Sequence, residues 1–297
     1  MMRVVPAREE DGSVRVRTPS GRADDLLDHT CLVTGATSGI GRAIAEGLAL
    51  RRAHVVVAAR DLDRGRRVAE EIGDEAANPR VEAVEVDVAS RDSVRRFAED
   101  FRKRFTKLHV LVNCAGCFAV KKRKTSEGVE LTWATNVLGV FQVTRLLEDM
   151  LASSAPSRVV NVASVELGGL DMEDVQFDRR RYAGMRAYRQ SKQAVLMLTW
   201  AFARRLRARG VTVNAVHPGL VRTPLVRGGI MGAAWRVYSL FGRTPERGAE
   251  TPVWLAASSA LAEDTAGFYF DKKEIRGRFR DEGQEDALFA LCERMTQ

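Results

Sequence analysis

Tyr188 and Lys192 are two residues whose types and spacing could do chemistry. They stand near the start of the stretch AYRQSKQAVLMLTWAFARRL, residues 187–206, in which apolar residues such as Val195 and Leu198 recur at helical spacing. Residues four apart lie on the same face of a helix. A free phenol has a pKa near ~10, poorly matched to proton transfer at neutral pH, and a nearby ammonium favours the phenolate. The pair is either an ordinary surface contact or a phenol that the lysine makes acidic.

The elements that must position this pair follow a regular alternation of apolar runs and helical patterns. The runs are CLVTGA, HVVVAAR, RVEAVEVDV, LHVLVNCAG, SRVVNVAS and GVTVNAVHPG. Strands that alternate with helices indicate βαβ units with right-handed crossovers and a parallel sheet covered on both faces. The sequence predicts one α/β domain, a doubly wound sheet in three α/β/α layers, over residues 29–271. A flexible leader of residues 1–28 precedes it and an extension of residues 272–297 follows.

A glycine-rich turn, TGATSGIG, lies between the first predicted strand and the first predicted helix. Gly35, Gly39 and Gly41 permit a tight turn and a close approach of main chain to a pyrophosphate. The N-terminus of the following helix offers free N–H groups and the positive end of its dipole. This position in an α/β chain predicts a dinucleotide site.

The end of the second strand, VVVAAR, bears on which dinucleotide is bound. Ala59 takes the place where an acid would accept hydrogen bonds from the ribose of NAD, and Arg60 follows it. An arginine can bind a 2′-phosphate through charge-assisted hydrogen bonds, so NADP(H) is favoured over NAD(H). Alternatively Arg60 is a solvated loop residue and Asp61 holds the ribose. Arg42 could assist with the phosphate or be a surface charge.

Two further polar residues lie where a ligand crevice is expected. Ser164 closes the fifth strand, and Asn136 lies inside the helical pattern WATNVLG. The carboxyl ends of strands in such sheets surround the ligand. Tyr182 with Arg186 competes with the Tyr188 pair, but an arginine does not give up its proton in this range, so Tyr188 is preferred.

In combination these motifs resemble the short-chain dehydrogenase/reductase family. The matching stretches are TGATSGIG, NCAG at residues 113–116, Asn136, Ser164, the YRQSK motif and HPGLVRT, and they span residues 31–271. The resemblance implies a Rossmann fold. Cys114 stands where the family usually has a second asparagine. The long interval between Ser164 and Tyr188 is similar to the retinol dehydrogenase-like branch.

The resemblance implies a role for each matching residue. Tyr188 would be the general acid/base, Lys192 would support the phenolate and hold the nicotinamide ribose, Ser164 would bind the substrate oxygen, and Asn136 would position a water that relays protons. Asp87 would bind the adenine amino group or cap the next helix. The implied cofactor contacts, beyond Tyr188 and Lys192, are Gly35, Thr37, Ser38, Gly39, Ile40, Gly41, Arg60, Asp87, Val88, Asn113, Ala115, Gly116, Pro218, Gly219, Val221 and Thr223.

The stretch PLVRGGIMGAAWRVYSLFG falls where the family places a substrate lid, which we expect at about residues 224–245. Its glycines and apolar residues favour a mobile lid over a bulky lipophilic substrate, such as a retinoid, steroid or polyketide-like compound. The alternative is a helix packed on the core or on a second subunit. The resemblance also allows a homodimer or homotetramer.

Composition limits the other classes of function. The net charge is +8, with arginines spread along the whole chain, so nucleic acid is not expected as a partner. Four cysteines include Cys114 and Cys117 in a CxxC without a second ligand pair, so neither a metal nor a redox site is expected. No membrane span or signal peptide is recognisable, and a cytoplasmic location is expected. The run KKRK, residues 121–124, is a solvated loop or an attractor of acidic substrates.

The sequence therefore predicts an NADP(H)-dependent oxidoreductase that transfers a hydride between nicotinamide and a carbonyl or alcohol. The alternative is a non-catalytic NADP-binding protein that senses redox state or acts as a scaffold. A mere binder needs none of Ser164, Tyr188 and Lys192.

Overall fold

The structure, a computed structural model, describes residues 25–222 and 242–297. In these residues eight strands form one sheet in the order β3-β2-β1-β4-β5-β6-β7-β8. All neighbouring strands are parallel except β7 and β8, which are antiparallel. The strands are β1 Thr30–Thr34, β2 His54–Ala59, β3 Val81–Glu85, β4 Val110–Asn113, β5 Ser157–Val162, β6 Val211–Val216, β7 Phe268–Phe270 and β8 Lys273–Glu274.

Helices connect the strands. They are α1 Gly39–Ala49, α2 Leu62–Glu75, α3 Arg91–Arg104, α4 Leu131–Trp133, α5 Gly139–Ser153, α6 Gly184–Leu206, α7 Pro245–Ala257 and α8 Glu282–Thr296. A π-helical stretch, Ala134–Leu138, joins α4 to α5. Several starts are fixed by a side chain that accepts a hydrogen bond from a main-chain N–H three residues on: Asp61 for α2, Ser90 for α3 and Thr244 for α7.

Two apolar cores lie on opposite faces of the sheet. Residues of α1, α2 and α7, such as Ile44, Ile72 and Val253, fill one of them. The other takes residues from α3, α5, α6 and α8, such as Phe141 and Phe202. Because both faces are covered, the central strands are nearly continuous runs of buried residues. The predicted doubly wound, three-layer fold in a single domain is confirmed.

The C-terminal residues belong to the same body. β8 extends the sheet, and α8 packs on α6, where Phe289 stands edge-on to the rings of Phe141 and Phe202. At the other end of the chain, Leu26 is buried and its N–H donates to the carbonyl of Arg51. Among the described residues, no helix combines the length and the apolar character that a membrane span requires. The predicted lid lies mostly in residues 223–241, which are outside the described residues, as are residues 1–24.

The strand order contains a topological switch point, where a ligand crevice is expected. β1 lies between β2 and β4, so the chain reverses direction across the sheet at the β1–β4 boundary. Ligands in open α/β sheets bind beyond the carboxyl ends of the strands at such a point.

Candidate active site

The glycine turn lies at the carboxyl end of β1 and packs against the residues that follow β4. A Cβ on Gly35 would stand 2.7 Å from the Cα of Ala115, and Gly35 has a φ of +68°. A Cβ on Gly41 would lie 2.3 Å from the carbonyl oxygen of Gly35. The Thr34 hydroxyl accepts hydrogen bonds from the N–H groups of Cys114 and Ala115, which fixes the two loops together. Only glycine fits at these two positions.

The start of α1 is suited to an anion. Its first residue is Gly39, and the side chain of Ser38 makes no capping hydrogen bond. The first N–H groups of a helix need partners, and the helix dipole favours negative charge there. The residues present therefore fit a pyrophosphate at this turn, with Thr37, Ser38, Gly39, and Ile40 around it.

The basic residues near the end of β2 have distinct environments. Arg60 is exposed, and no ion pair of it is found among the described residues. Asp61 is used as the cap of α2, accepting from the N–H of Arg64. The Arg64 guanidinium in turn donates to the carbonyl of Thr37, at 3.2 Å.

Arg42 is held by three glutamates. It pairs with Glu46 at 2.7 Å, with Glu71 at 2.7 Å and with Glu75 at 3.3 Å. The idea that Arg42 assists with a phosphate is therefore unsupported. Arg64 is the residue that sequence reasoning missed. The sequence feature that could have indicated Arg64 is its position in the first turn of α2, the helix that follows β2.

The loops after β3 and β4 supply the remaining walls. Asp87 accepts from the N–H of Ala89 and holds its own turn, whereas Ser90 caps α3. The carbonyl of Val88 packs against Gly139, where a Cβ would come within 2.7 Å. Asp87 keeps a second carboxylate oxygen for another partner.

The side chain of Asn113 belongs to a buried hydrogen-bond network. Its side-chain amide donates to Thr144 at 3.0 Å and to Asn161 at 2.8 Å, and Asn161 donates to Thr199. This buried network ties β4 and β5 to α5 and α6. A contact between Asn113 and a cofactor stays a prediction.

The segment after β6 closes the opposite side of the glycine turn. Gly219 has a φ of +86° and packs on the side chain of Arg243. Val221 is buried, and both it and Ile40 lie against the Cα of Gly248 in α7. Pro218 precedes this contact, and Thr223 lies outside the described residues.

Tyr188, Lys192 and Ser164 meet at the carboxyl end of β5. The Lys192 ammonium lies 5.8 Å from the centre of the Tyr188 ring and donates to the carbonyl of Val162 at 2.8 Å. Ser164 accepts a hydrogen bond from the N–H of Glu166 at 3.0 Å, and it lies close enough to the Tyr188 hydroxyl to lower the pKa of that phenol. These three residues lie beside the loop that packs on the glycine turn. Gly116 follows Ala115, and a Cβ on Gly116 would stand 3.9 Å from the Lys192 nitrogen.

The electrostatics of the pair differ from the sequence-based expectation. Burial raises the pKa of Tyr188 to about 12. The negative charge of Glu166 also raises this pKa, whereas the nearby Ser164 hydroxyl lowers it. Burial also lowers the pKa of Lys192 to about 8. We expected Lys192 to make the phenol more acidic. In the protein without cofactor, however, the effect of desolvation on both pKa values is larger than the attraction between the two groups, because burial disfavours the charged form of each.

Asn136 lies in the π-helical stretch and binds its neighbours with both ends of its amide. Its nitrogen donates to the carbonyl of Cys117 at 3.0 Å and to Ser191 at 2.9 Å, and its oxygen accepts from the N–H of Cys117 at 2.8 Å. It thereby joins the loop after β4 to α6, one residue before Lys192. Its role in a water relay stays a prediction.

Tyr182 is engaged elsewhere. Its hydroxyl donates to the carbonyl of Ala119 at 2.8 Å and lies 3.3 Å from the Glu130 carboxylate. Burial raises the pKa of Tyr182 strongly. Tyr182 therefore braces the loop that follows Ala119.

Residues 29–229 match the family model described as short chain dehydrogenase. The chain belongs to the short-chain dehydrogenase family. Among curated relatives, this short-chain dehydrogenase is 38% identical over 251 residues to retinol dehydrogenase 13 of Homo sapiens, covering 82% of this chain and 76% of that one. It is 40% identical over 275 residues to retinol dehydrogenase 12 of Bos taurus, covering 90% and 86%.

Solved structures with the same fold include a protein from Mycobacterium paratuberculosis, with a TM-score of 0.74, 31% identity, and coverage of 94% of this chain and 98% of that one. Another is a short-chain dehydrogenase from Burkholderia cenocepacia in complex with NADP, with a TM-score of 0.65, 27% identity, and coverage of 82% and 96%. The resemblance to a retinol dehydrogenase-like oxidoreductase is confirmed by these relatives.

Proposed function

We propose that this short-chain dehydrogenase transfers a hydride between NADP(H) and a carbonyl or alcohol of a bulky lipophilic substrate. The observation that carries the proposal is the convergence of Tyr188, Lys192 and Ser164 beside Gly116, next to a glycine turn that fits a pyrophosphate. A protein that only binds a dinucleotide has no need of a buried lysine and a half-buried phenol at this point.

The cofactor, when bound, supplies or accepts the hydride. In the reducing direction the carbonyl carbon gains the hydride, and the Tyr188 hydroxyl gives its proton to the carbonyl oxygen, so an alcohol forms. Ser164, which lies near the same hydroxyl, would donate to that oxygen and stabilise the charge that develops there. With a pKa of about 12, Tyr188 is protonated at neutral pH, which is the state that reduction requires.

Two arginines support NADP(H) over NAD(H). Arg60 is exposed at the end of β2, with no acid before it in the strand. Arg64 reaches from α2 to the glycine turn and carries positive charge to the same place. A related short-chain dehydrogenase of the same fold was solved with NADP.

The surroundings of Tyr188 support a lipophilic substrate. The Phe118 ring centre is 5.7 Å from that of Tyr188, and Val120 and Met185 are exposed nearby. The named relatives are retinol dehydrogenases. We further propose a cytoplasmic enzyme, since the four cysteines are free, as a reducing compartment would leave them. A homodimer or homotetramer stays a prediction.

The substitution Tyr188→Phe tests the proposal. It removes the proton donor and should lower kcat by roughly 10²- to 10⁴-fold with NADPH and a panel of aldehydes, retinal and steroid ketones. NADPH binding, followed by fluorescence, should persist.

The matched control is Tyr182→Phe, which also removes a hydrogen-bonded hydroxyl but lies on the loop at Ala119. It should keep its turnover. Undiminished activity of Tyr188→Phe would refute the assignment, and a wild-type enzyme that binds NADPH but reduces no carbonyl would favour the non-catalytic alternative.

A further inference from the structure

Two runs of positive charge that are far apart in the sequence lie side by side in the structure. Lys122 donates to the carbonyl of Phe177 at 2.8 Å and to Asp178 at 2.8 Å, and Tyr182 reaches back to Ala119. A Cβ on Gly184 would stand 2.5 Å from the carbonyl oxygen of Ala119. We call the resulting group of cations the basic collar; it consists of Lys121, Lys122, Arg123, Lys124, Arg179, Arg180, Arg181 and Arg186.

Half of the basic collar is neutralised by acids. Lys122 and Lys124 share Asp178, at 2.8 and 3.6 Å. Arg179 pairs with Glu173 at 3.5 Å. Arg180 pairs with Asp174 at 3.1 Å and with Asp171 at 3.3 Å.

The other half has no acidic partner within the described residues. Lys121, Arg123, Arg181 and Arg186 are all exposed, and none forms an ion pair there. Holding like charges on two adjoining loops costs electrostatic free energy, since each raises the potential at the others. Within the described residues, these four cations therefore leave an excess of positive charge on the two adjoining segments.

One segment of the basic collar is connected to Tyr188 through Phe118. Phe118, against the Tyr188 ring, begins the loop that carries Lys121 and Arg123. Arg186 lies in the first turn of α6, on a different helix face from Tyr188, and its side chain packs on Gly169, in the segment that leads to α6. The exposed apolar side chains of Val120 and Met185 adjoin these cations in the sequence. Exposed apolar side chains and unpaired cations are therefore neighbours on both segments.

We propose that the preferred substrate is an amphipathic anion. Its carbonyl or alcohol reacts at Tyr188, its apolar body lies on Phe118, Val120 and Met185, and a carboxylate or phosphate at its far end binds the unpaired cations of the basic collar. This inference rests on the proposed function, and narrows the substrate class from lipophilic compounds to those with a distant negative charge.

The test compares two aldehydes that share the reacting group and the chain: the ω-aldehyde of dodecanoic acid and its methyl ester. The measured quantity is the ratio of kcat/KM for the acid to that for the ester. The double variants Lys121→Glu/Arg123→Glu and Arg181→Glu/Arg186→Glu each reverse two of the unpaired charges, on the first and on the second segment of the collar. Each should lower the ratio about tenfold, because a lost attraction is replaced by repulsion. High salt should lower the wild-type ratio in the same direction, since it screens exposed charges.

The matched control is Arg96→Glu/Lys107→Glu. These exposed residues lie in α3 and before β4, away from the collar, and the change in net charge is the same. The ratio should be unchanged. A wild-type ratio near one, or an equal fall in the control, would overturn the inference. The corresponding ω-phosphate ester, run as a third substrate, shows whether phosphate or carboxylate is preferred.

If the proposed function were wrong, the results would differ from those expected if only this inference were wrong. Neither aldehyde would then be turned over by the wild type, yet calorimetric binding of the unreactive dodecanoate to the NADPH complex would still report on the collar. If reversal of the collar charges altered binding to vesicles of acidic phospholipid but left both the ratio and dodecanoate binding unchanged, the collar would be a lipid-surface contact and the inference would be wrong.

Discussion

The Arg64 guanidinium donates a hydrogen bond to the main-chain carbonyl of Thr37, across 3.2 Å between α2 and the glycine turn. This contact places a positive charge beside the helix N-terminus where a dinucleotide phosphate fits. Arg60 lies four residues earlier, immediately after β2. Arg64 therefore contacts the turn and Arg60 follows the neighbouring strand, whereas Arg42 is neutralised by its glutamates.

Arg60→Glu and Arg64→Glu should each weaken NADPH binding far more than NADH binding. A charge-assisted hydrogen bond to a phosphate contributes about 1.5–3 kcal/mol, so the Kd for NADPH should rise roughly 10- to 100-fold. Fluorescence titration with both cofactors measures this. The control Arg67→Glu changes an exposed arginine in the same helix and should leave both Kd values alone. Equal losses for the two cofactors would count against a 2′-phosphate role.

Much of the fold follows from local patterns. Buried runs such as Val55–Val57 leave little choice but a parallel sheet covered on both faces, and helix caps such as Asp61 and Ser90 are visible as residue types. The proximity of Tyr188, Lys192 and Ser164 could likewise be predicted, because helix periodicity places Tyr188 and Lys192 on one face and Ser164 follows the end of a strand.

What escaped prediction depends on partners distant in the sequence. Glu71 and Glu75, which engage Arg42, belong to the next helix, and Val162, which accepts from Lys192, contributes only a main-chain carbonyl. The sign of the Tyr188 pKa shift depends on whether desolvation of the phenol outweighs the effect of a nearby charge. The sequence pattern does not show how strongly this single side chain is desolvated. The π-helical stretch at Asn136 carried no sequence signal either.

Asn136→Ala should uncouple the loop after β4 from α6. It removes three hydrogen bonds, to Cys117 and Ser191, and should cost about 2 kcal/mol of unfolding free energy. Because Cys117 adjoins Gly116 and Ser191 adjoins Lys192, the loss should also displace the catalytic groups. A displacement of about 1 Å can lower kcat by roughly 100-fold.

The matched control is Asn78→Ala. Asn78 is also a buried asparagine with three hydrogen bonds, to the carbonyls of Ala49 and Ala53 and the N–H of Arg80, but it lies between α2 and β3. It should lose similar stability in a denaturant titration and keep its kcat. If both variants lost activity in proportion to stability, Asn136 would be a structural residue only.

Lys192 should make the stability of the protein depend on pH in a defined direction. Its pKa is lowered from 10.5 to about 8, so the folded state releases its proton before the unfolded state does. Below pH 8, where both states hold the charge, burial of the ammonium costs roughly 3 kcal/mol; the cost shrinks as pH rises from 8 towards 10.5, where the unfolded chain loses the proton too. Lys192→Met removes that cost and also the hydrogen bond to Val162, which contributes about 1 kcal/mol.

Without cofactor, the Lys192→Met variant should therefore be about 2 kcal/mol more stable than the wild type at neutral pH. The advantage should fade as pH approaches 10. Lys192→Arg keeps its charge throughout and should show no such convergence with the methionine variant. Urea unfolding at a series of pH values measures the differences, and a gap between wild type and Lys192→Met that stays constant with pH would show that burial does not act on this amine.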